Sequence, residues 1–192
     1  MIQVNEQLRQ LNSELIGKAI HYITLENWEK SASSGRLVPH TSIAPEFMRG
    51  LPEWAYKKHI FAISLNELKK WEENKRFPDI MNKLMLYIRV KSPIRIPGKK
   101  CEIAELSFDI KTSDESHVLD YACRANSLYE NTLLKKCKEI LQGHYFGPTK
   151  EWKNYIDSRI PFLDYKGDYS LPEIAFETPI DSDRIRIERV FD

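Results

Sequence analysis

The residues most able to do chemistry in this chain are the adjacent pair His21-Tyr22 near the start and a carboxylate, Glu173, near the end. His21 and Tyr22 close an apolar run, Ala19 to Ile23, whose β-branched and aromatic content reads as a short strand. A strand-end histidine is either a ligand contact or a residue satisfied by nearby backbone. Glu173 follows Pro172 and opens a second apolar run, Leu171 to Glu177. An acid at the start of a buried strand needs either a partner or a purpose. Arg184 or Arg186, across an expected hairpin, would supply the partner. Glu177 falls on the same strand face as Glu173, roughly 13 Å further along if the strand is extended.

Other familiar chemistry is missing from the sequence. There is no glycine-rich phosphate loop, no pair of histidines at helical metal-ligand spacing and no glycine-flanked nucleophilic serine. The five histidines (His21, His40, His59, His117 and His144) are dispersed, so no metal site is expected. Cys101, Cys123 and Cys137 are odd in number and widely spaced, which predicts reduced thiols rather than a disulfide framework or zinc ribbon. The chain carries 29 basic and 28 acidic residues, a formal net charge of +1, so bulk charge gives no general affinity for nucleic acid. The opening Met1 to Glu6 lacks the basic start and apolar run of a secretory leader. No apolar run reaches the ~18 residues of a membrane span. These features predict a cytoplasmic protein.

Several elements must position the candidate residues. Thr24 has the character of a helix N-cap, with Glu26 in the first turn, where the helix dipole favours negative charge. Leu25, Trp28 and Ala32 recur at helical spacing and predict one buried face. Gly35 suits a left-handed stop and Pro39 prevents a restart. An amphipathic helix is expected before this unit, over Gln3 to Leu15, and a long aromatic-rich loop after it, from His40 to Lys58. His59 to Ser64, Leu84 to Val90 and Cys101 to Ile110 read as strands, with His117 to Tyr121 as a short edge strand. Helices are expected from Asn66 to Lys75, from Tyr129 to Leu141 and after Pro148, the last containing Trp152, Tyr155 and Ile156. The end returns to extended structure, Leu171 to Glu177 and Arg184 to Phe191, with a turn at Pro179 to Asp181. The irregular alternation favours an α+β fold in a single domain over residues 1–192.

Three stretches together resemble motifs of the ADP-ribosyltransferase-like superfamily. His21-Tyr22, Leu25 to Trp28 and Gly35 to Pro39 are similar to its first motif. His59 to Ser64 resembles its second, and Leu171 to Phe176 its C-terminal strand with a catalytic glutamate. The resemblance implies a split, curved mixed β core flanked by helices, with NAD bound as substrate in the cleft. It further implies Glu173 as the catalytic carboxylate, facing the positive charge that develops on the ribose as the nicotinamide bond breaks. By the same resemblance His21, Tyr22, Thr24, Ser64 and Trp71 would contact NAD. His21 would hydrogen-bond the adenosine-side ribose, the backbone beside Tyr22 would hold the nicotinamide amide, and Trp71 or Tyr22 would stack on its ring. The expected partner is a macromolecular acceptor, protein or nucleic acid, and the expected setting a toxin or defence factor. A second expectation is a regulatory protein that keeps this fold without turnover. Ile23 and Ile60 favour it, because relatives carry polar residues at those places.

Overall fold

The structure is a computed structural model and describes residues 17–42, 49–64, 101–125, 150–169 and 171–191. The expected helices over Gln3 to Leu15, Asn66 to Lys75 and Tyr129 to Leu141, the strand Leu84 to Val90, and Trp71 lie outside the described residues.

The described chain is α+β and built on one sheet. Strand β1 (Lys18–Thr24) leads directly into helix α1 (Leu25–Ser33). The Thr24 hydroxyl accepts from the Asn27 amide at 3.3 Å, so the sequence-expected cap is present. Trp28 is buried on the inner face, with Leu25 and Ala32 packed beside it. Gly35, at φ +78°, makes the left-handed turn after the helix, a conformation that opposes any Cβ. Two short strands follow, β2 (Arg36–Leu37) and β3 (Thr41–Ser42), and then β4 (Lys58–Ser64). Next come β5 (Ile103–Asp109), β6 (Ser116–Asp120), one helical turn α2 (Ala122–Ala125), helix α3 (Lys150–Asp157) and β7 (Ile160–Pro161). The chain closes with β8 (Pro172–Phe176), β9 (Ile180–Asp181) and β10 (Ile185–Phe191).

The main sheet runs β10-β5-β1-β4-β8-β6-β7, with β3 also on β4; β2 and β9 form a separate ribbon. Every registered pair is antiparallel, where a mixed core was expected. Two other expectations are corrected. The C-terminal extended pieces do not form a hairpin: β8 lies beside β4, and β10 lies beyond β5 at the far edge. The turn between them instead carries β9, which pairs with β2 after the helix α1. β6 is not an edge strand either, because β7 covers its outer side.

Strand alternation divides the side chains into two layers. One face carries the larger core, in which Ala19, Ile23, Ile60, Ala62, Leu106, Phe108, Val118, Ile174 and Phe176 pack beneath Trp28 of α1. The other face meets α3 through Leu119, Ala175, Trp152, Tyr155 and Ile156, with Trp54 alongside. Arg184 and Asp114 tie the loop before β6 to the start of β10. Arg184 Nη1 and Nη2 donate to the two Asp114 carboxylate oxygens at 2.9 and 2.7 Å.

Candidate functional site

The candidate site begins where two central strands part. β1 is registered against β5 along its whole length, Lys18 to Thr24. Against β4 it is registered only at Ala19↔Ser64 and Ile20↔Ile63. At the opposite end of β4 the short strand β3 takes the place beside it, with Thr41 opposite His59. The sheet is therefore open between β1 and β4 from His21 onward.

His21 stands in this opening. Its Nδ1 donates to the Phe61 carbonyl at 2.6 Å, which assigns the ring hydrogen to Nδ1 and leaves Nε2 as an acceptor. Nε2 is buried without a hydrogen-bond partner among the described residues, and the His40 ring stands edge-on with centroids 5.2 Å apart. Burial, reinforced by the neighbouring His40, lowers the His21 pKa to about 3 against the opposing pull of the Phe61 bond. The imidazole is neutral at physiological pH.

Tyr22 points to the other face. Its hydroxyl donates to Glu105 Oε2 at 2.9 Å. Arg189 of β10 grips the same carboxylate with both arms, Nε to Oε1 at 3.0 Å and Nη2 to Oε2 at 3.1 Å. Glu105 is buried while the Arg189 side chain is 67% exposed, so this pair brings a solvent-facing cation onto an interior anion. Glu105 is paired with Tyr22 in the β1-β5 register and with Arg189 in the β5-β10 register, so one row across three strands assembles the group.

Glu173 lies on the Tyr22 face, not the His21 face. In the register Ile174 is opposite Ala62, and Ile20 is opposite Ile63. Glu173 thus shares a face with Ile63, Ile20 and Tyr22, and lies about 10 Å from β1, the width of two strand spacings. Its carboxylate accepts a hydrogen bond from the Tyr155 hydroxyl of α3. The arginines that sequence pairs with it are engaged elsewhere, Arg184 with Asp114, while Arg186 sits on β10 at the far edge. Of the other expected contacts, Thr24 shares the Tyr22 face but its hydroxyl is used as the helix cap. Ser64, opposite Ala19, belongs to the His21 face, where its buried hydroxyl has no partner among the described residues. The structure therefore gathers Tyr22, Thr24 and Glu173 on one side, and His21 with Ser64 on the other.

A second polar group, not anticipated from sequence, lies on the Glu173 face at the other end of β8. Glu177 accepts from Trp54 Nε1 at 2.8 Å and meets His117 Nδ1 at 2.6 Å. His59 is fully buried, 4.3 Å from the Trp54 ring by centroid. Loss of hydration lowers its pKa to about 4, outweighing the attraction of Glu177. The Arg159 guanidinium lies 4.6 Å over Trp54. Glu105 had no clear signal, because alternation sets it with Ser107 and Asp109 at the polar positions of its strand, and its burial comes from the flanking strands β1 and β10. The Trp54 group had none, because its members come from four separate stretches.

Among the described residues, no group of three His, Cys, Asp or Glu side chains is placed to hold a metal ion. No helix among them is long and apolar enough to cross a membrane. No family model, curated protein or solved structure matches the chain.

Proposed function

We propose that the chain is an NAD-dependent ADP-ribosyltransferase that works on the Tyr22 and Glu173 face of the opening between β1 and β4. The observation that supports this best is the parting of those strands after Ile20 and Ile63, which leaves His21 to Thr24 without register partners on the β4 side. NAD is the substrate. Its nicotinamide–ribose bond breaks with the bonding electrons leaving on nicotinamide, and the acceptor forms the new bond to the ribose carbon. Glu173 faces the positive charge that develops on the ribose, and its carboxylate takes the acceptor's proton or orients the acceptor. The Tyr155 hydroxyl holds that carboxylate in one orientation. Backbone beside Tyr22 holds the nicotinamide amide, and Glu105 with Arg189 fixes the Tyr22 ring. His21 acts here as a positioning residue: its bond to Phe61 spans the opening and sets the strand separation. The acceptor is a macromolecule, protein or nucleic acid.

A second reading, an interaction or regulatory protein that keeps this fold without turnover, is favoured by one observation: His21 and Glu173 face opposite sides of the sheet. Calorimetric titration with NAD, followed by assay of the same samples for free nicotinamide, separates the two. Binding with release supports the transferase, and binding without release in the presence of cell extract supports the second reading. Absence of NAD binding removes the transferase and leaves the second reading standing.

A further inference from the structure

β10 is the terminal strand of the sheet, with β5 on one side and no strand on the other among the described residues. Such an edge presents unpaired backbone groups and is a template for another strand. Ile187 and Val190 on this strand are 47% and 45% exposed. In a regular strand, residues three apart point to opposite faces. Here the register shifts between Ile187 and Arg189, so Glu188 is an extra residue, and one oxygen of its carboxylate accepts from the Ser107 hydroxyl, which sets it on the Arg189 face with its other oxygen available. Ile187, opposite Leu106, and Val190, opposite Ala104, are thereby brought to the same face. Arg186, Arg189 and Phe191 lie on the other, opposite Ser107, Glu105 and Ile103.

We propose that β10 pairs antiparallel with β10 of a second copy of this chain, about a two-fold axis between Glu188 and Arg189. The two sheets then form one. An axis perpendicular to the sheet keeps the faces in common, so residues directly opposite one another must share a face. This register satisfies that condition. Ile187 meets Val190 of the partner subunit, Arg186 meets Phe191 of the partner subunit, and Glu188 meets Arg189 of the partner subunit, each contact occurring twice. Apolar residues pair with apolar ones and opposite charges lie together. A slip of one residue either way sets Ile187 against a residue of the other face and places Glu188 against itself or against Val190. A slip of two in one direction opposes Arg186 and Arg189, and in the other opposes Arg189 and Val190 from different faces.

The charges explain why the occupant is a second copy and not any exposed strand. Arg186, Glu188 and Arg189 discourage a partner of unmatched sequence, while the same residues complement themselves across the axis. The pairing also reaches the candidate site. Arg189 already holds Glu105, which holds Tyr22, and its exposed side would receive the partner's Glu188. The dimer thus extends the row Tyr22–Glu105–Arg189 by one carboxylate from the other copy. This inference is independent of the NAD reading.

Sedimentation velocity of the full chain from about 1 to 100 μM tests it, since one strand pair makes a small, concentration-dependent interface. The expected result is a reversible dimer whose dissociation constant rises at least ~10-fold in Ile187→Lys and in Val190→Lys, where a charge is set against the apolar residue of the partner strand. The register is read separately by mixing Ile187→Cys with Val190→Cys chains and oxidising with copper–phenanthroline. Mixed disulfide dimers are expected well above the level of either variant alone or of wild type. A chain that is monomeric throughout, a dimer that neither lysine weakens, or cross-linking no greater in the mixture than in single variants would each overturn the proposal.

Discussion

Two buried neutral histidines make acid sensitivity a quantitative consequence of the fold. His21 and His59 titrate at 6.5 in an unfolded chain and at about 3 and about 4 in the folded one. Between those values the unfolded chain binds protons that the folded one refuses, so stability rises with pH and falls as the solution is acidified. Each group loses about 1.4 kcal/mol per pH unit below 6.5, so from pH 7 to pH 5 the two together remove about 4 kcal/mol. That is a large part of the total stability of a domain this size, and corresponds to a fall in Tm of about 8–16 °C. The loss continues until the pH reaches the folded values. Urea unfolding at pH 7, 6 and 5 measures the slope. His21→Gln and His59→Gln should each remove about half of it, and the double variant about all of it, whatever their stability at pH 7. If the double variant loses as much stability between pH 7 and pH 5 as wild type, the two rings are not held neutral by burial and the reasoning is refuted.

Other consequences can be checked by stability measurement. Arg184→Ala leaves the Asp114 carboxylate buried without its cation, so unfolding free energy should fall by about 3 kcal/mol, and unchanged urea midpoints would show the pair to be dispensable. Gly35→Ala meets open space but forces a Cβ onto a positive φ, which should lower stability by about 1 kcal/mol; a gain would mean the turn relaxes to another conformation. Tyr155→Phe removes the donor to Glu173 and should destabilise the protein by about 1 kcal/mol, measured by thermal unfolding.

Local structure was legible wherever short-range chemistry decides it. Thr24, Trp28 and Gly35 define one helix from cap to stop, and Trp152, Tyr155 and Ile156 define the inner face of another. The strand over Ile103 to Asp109 follows from its alternation, and the common face of Glu173 and Glu177 follows from the period of two. What could not be read is non-local. Pro179 to Asp181 looks like a hairpin turn, but Ile180 and Asp181 pair with Leu37 and Arg36, and β10 travels to the other edge. Nothing in the sequence near Glu173 specifies Tyr155 as its partner, because the choice depends on how α3 crosses β6 and β8. The opposite facing of His21 and Glu173 likewise depends on strand order and register, which no local motif encodes. Glu173 shows the useful remainder: an acid within an apolar strand marks a place where a partner must exist, even when the partner is illegible.

The most direct measurement of the proposed activity is nicotinamide release from NAD in the presence of cell extract, with wild type compared against Glu173→Gln. The substitution keeps the size and the contact with Tyr155 while removing the charge that would face the developing ribose cation. NAD affinity and thermal stability should remain near wild type, since that charge matters only as the bond breaks. Release by the wild type, reduced at least about a hundredfold by Glu173→Gln, is the predicted result. Equal release by both proteins, or none from the wild type while NAD binds, would contradict the assignment of Glu173 as the catalytic carboxylate.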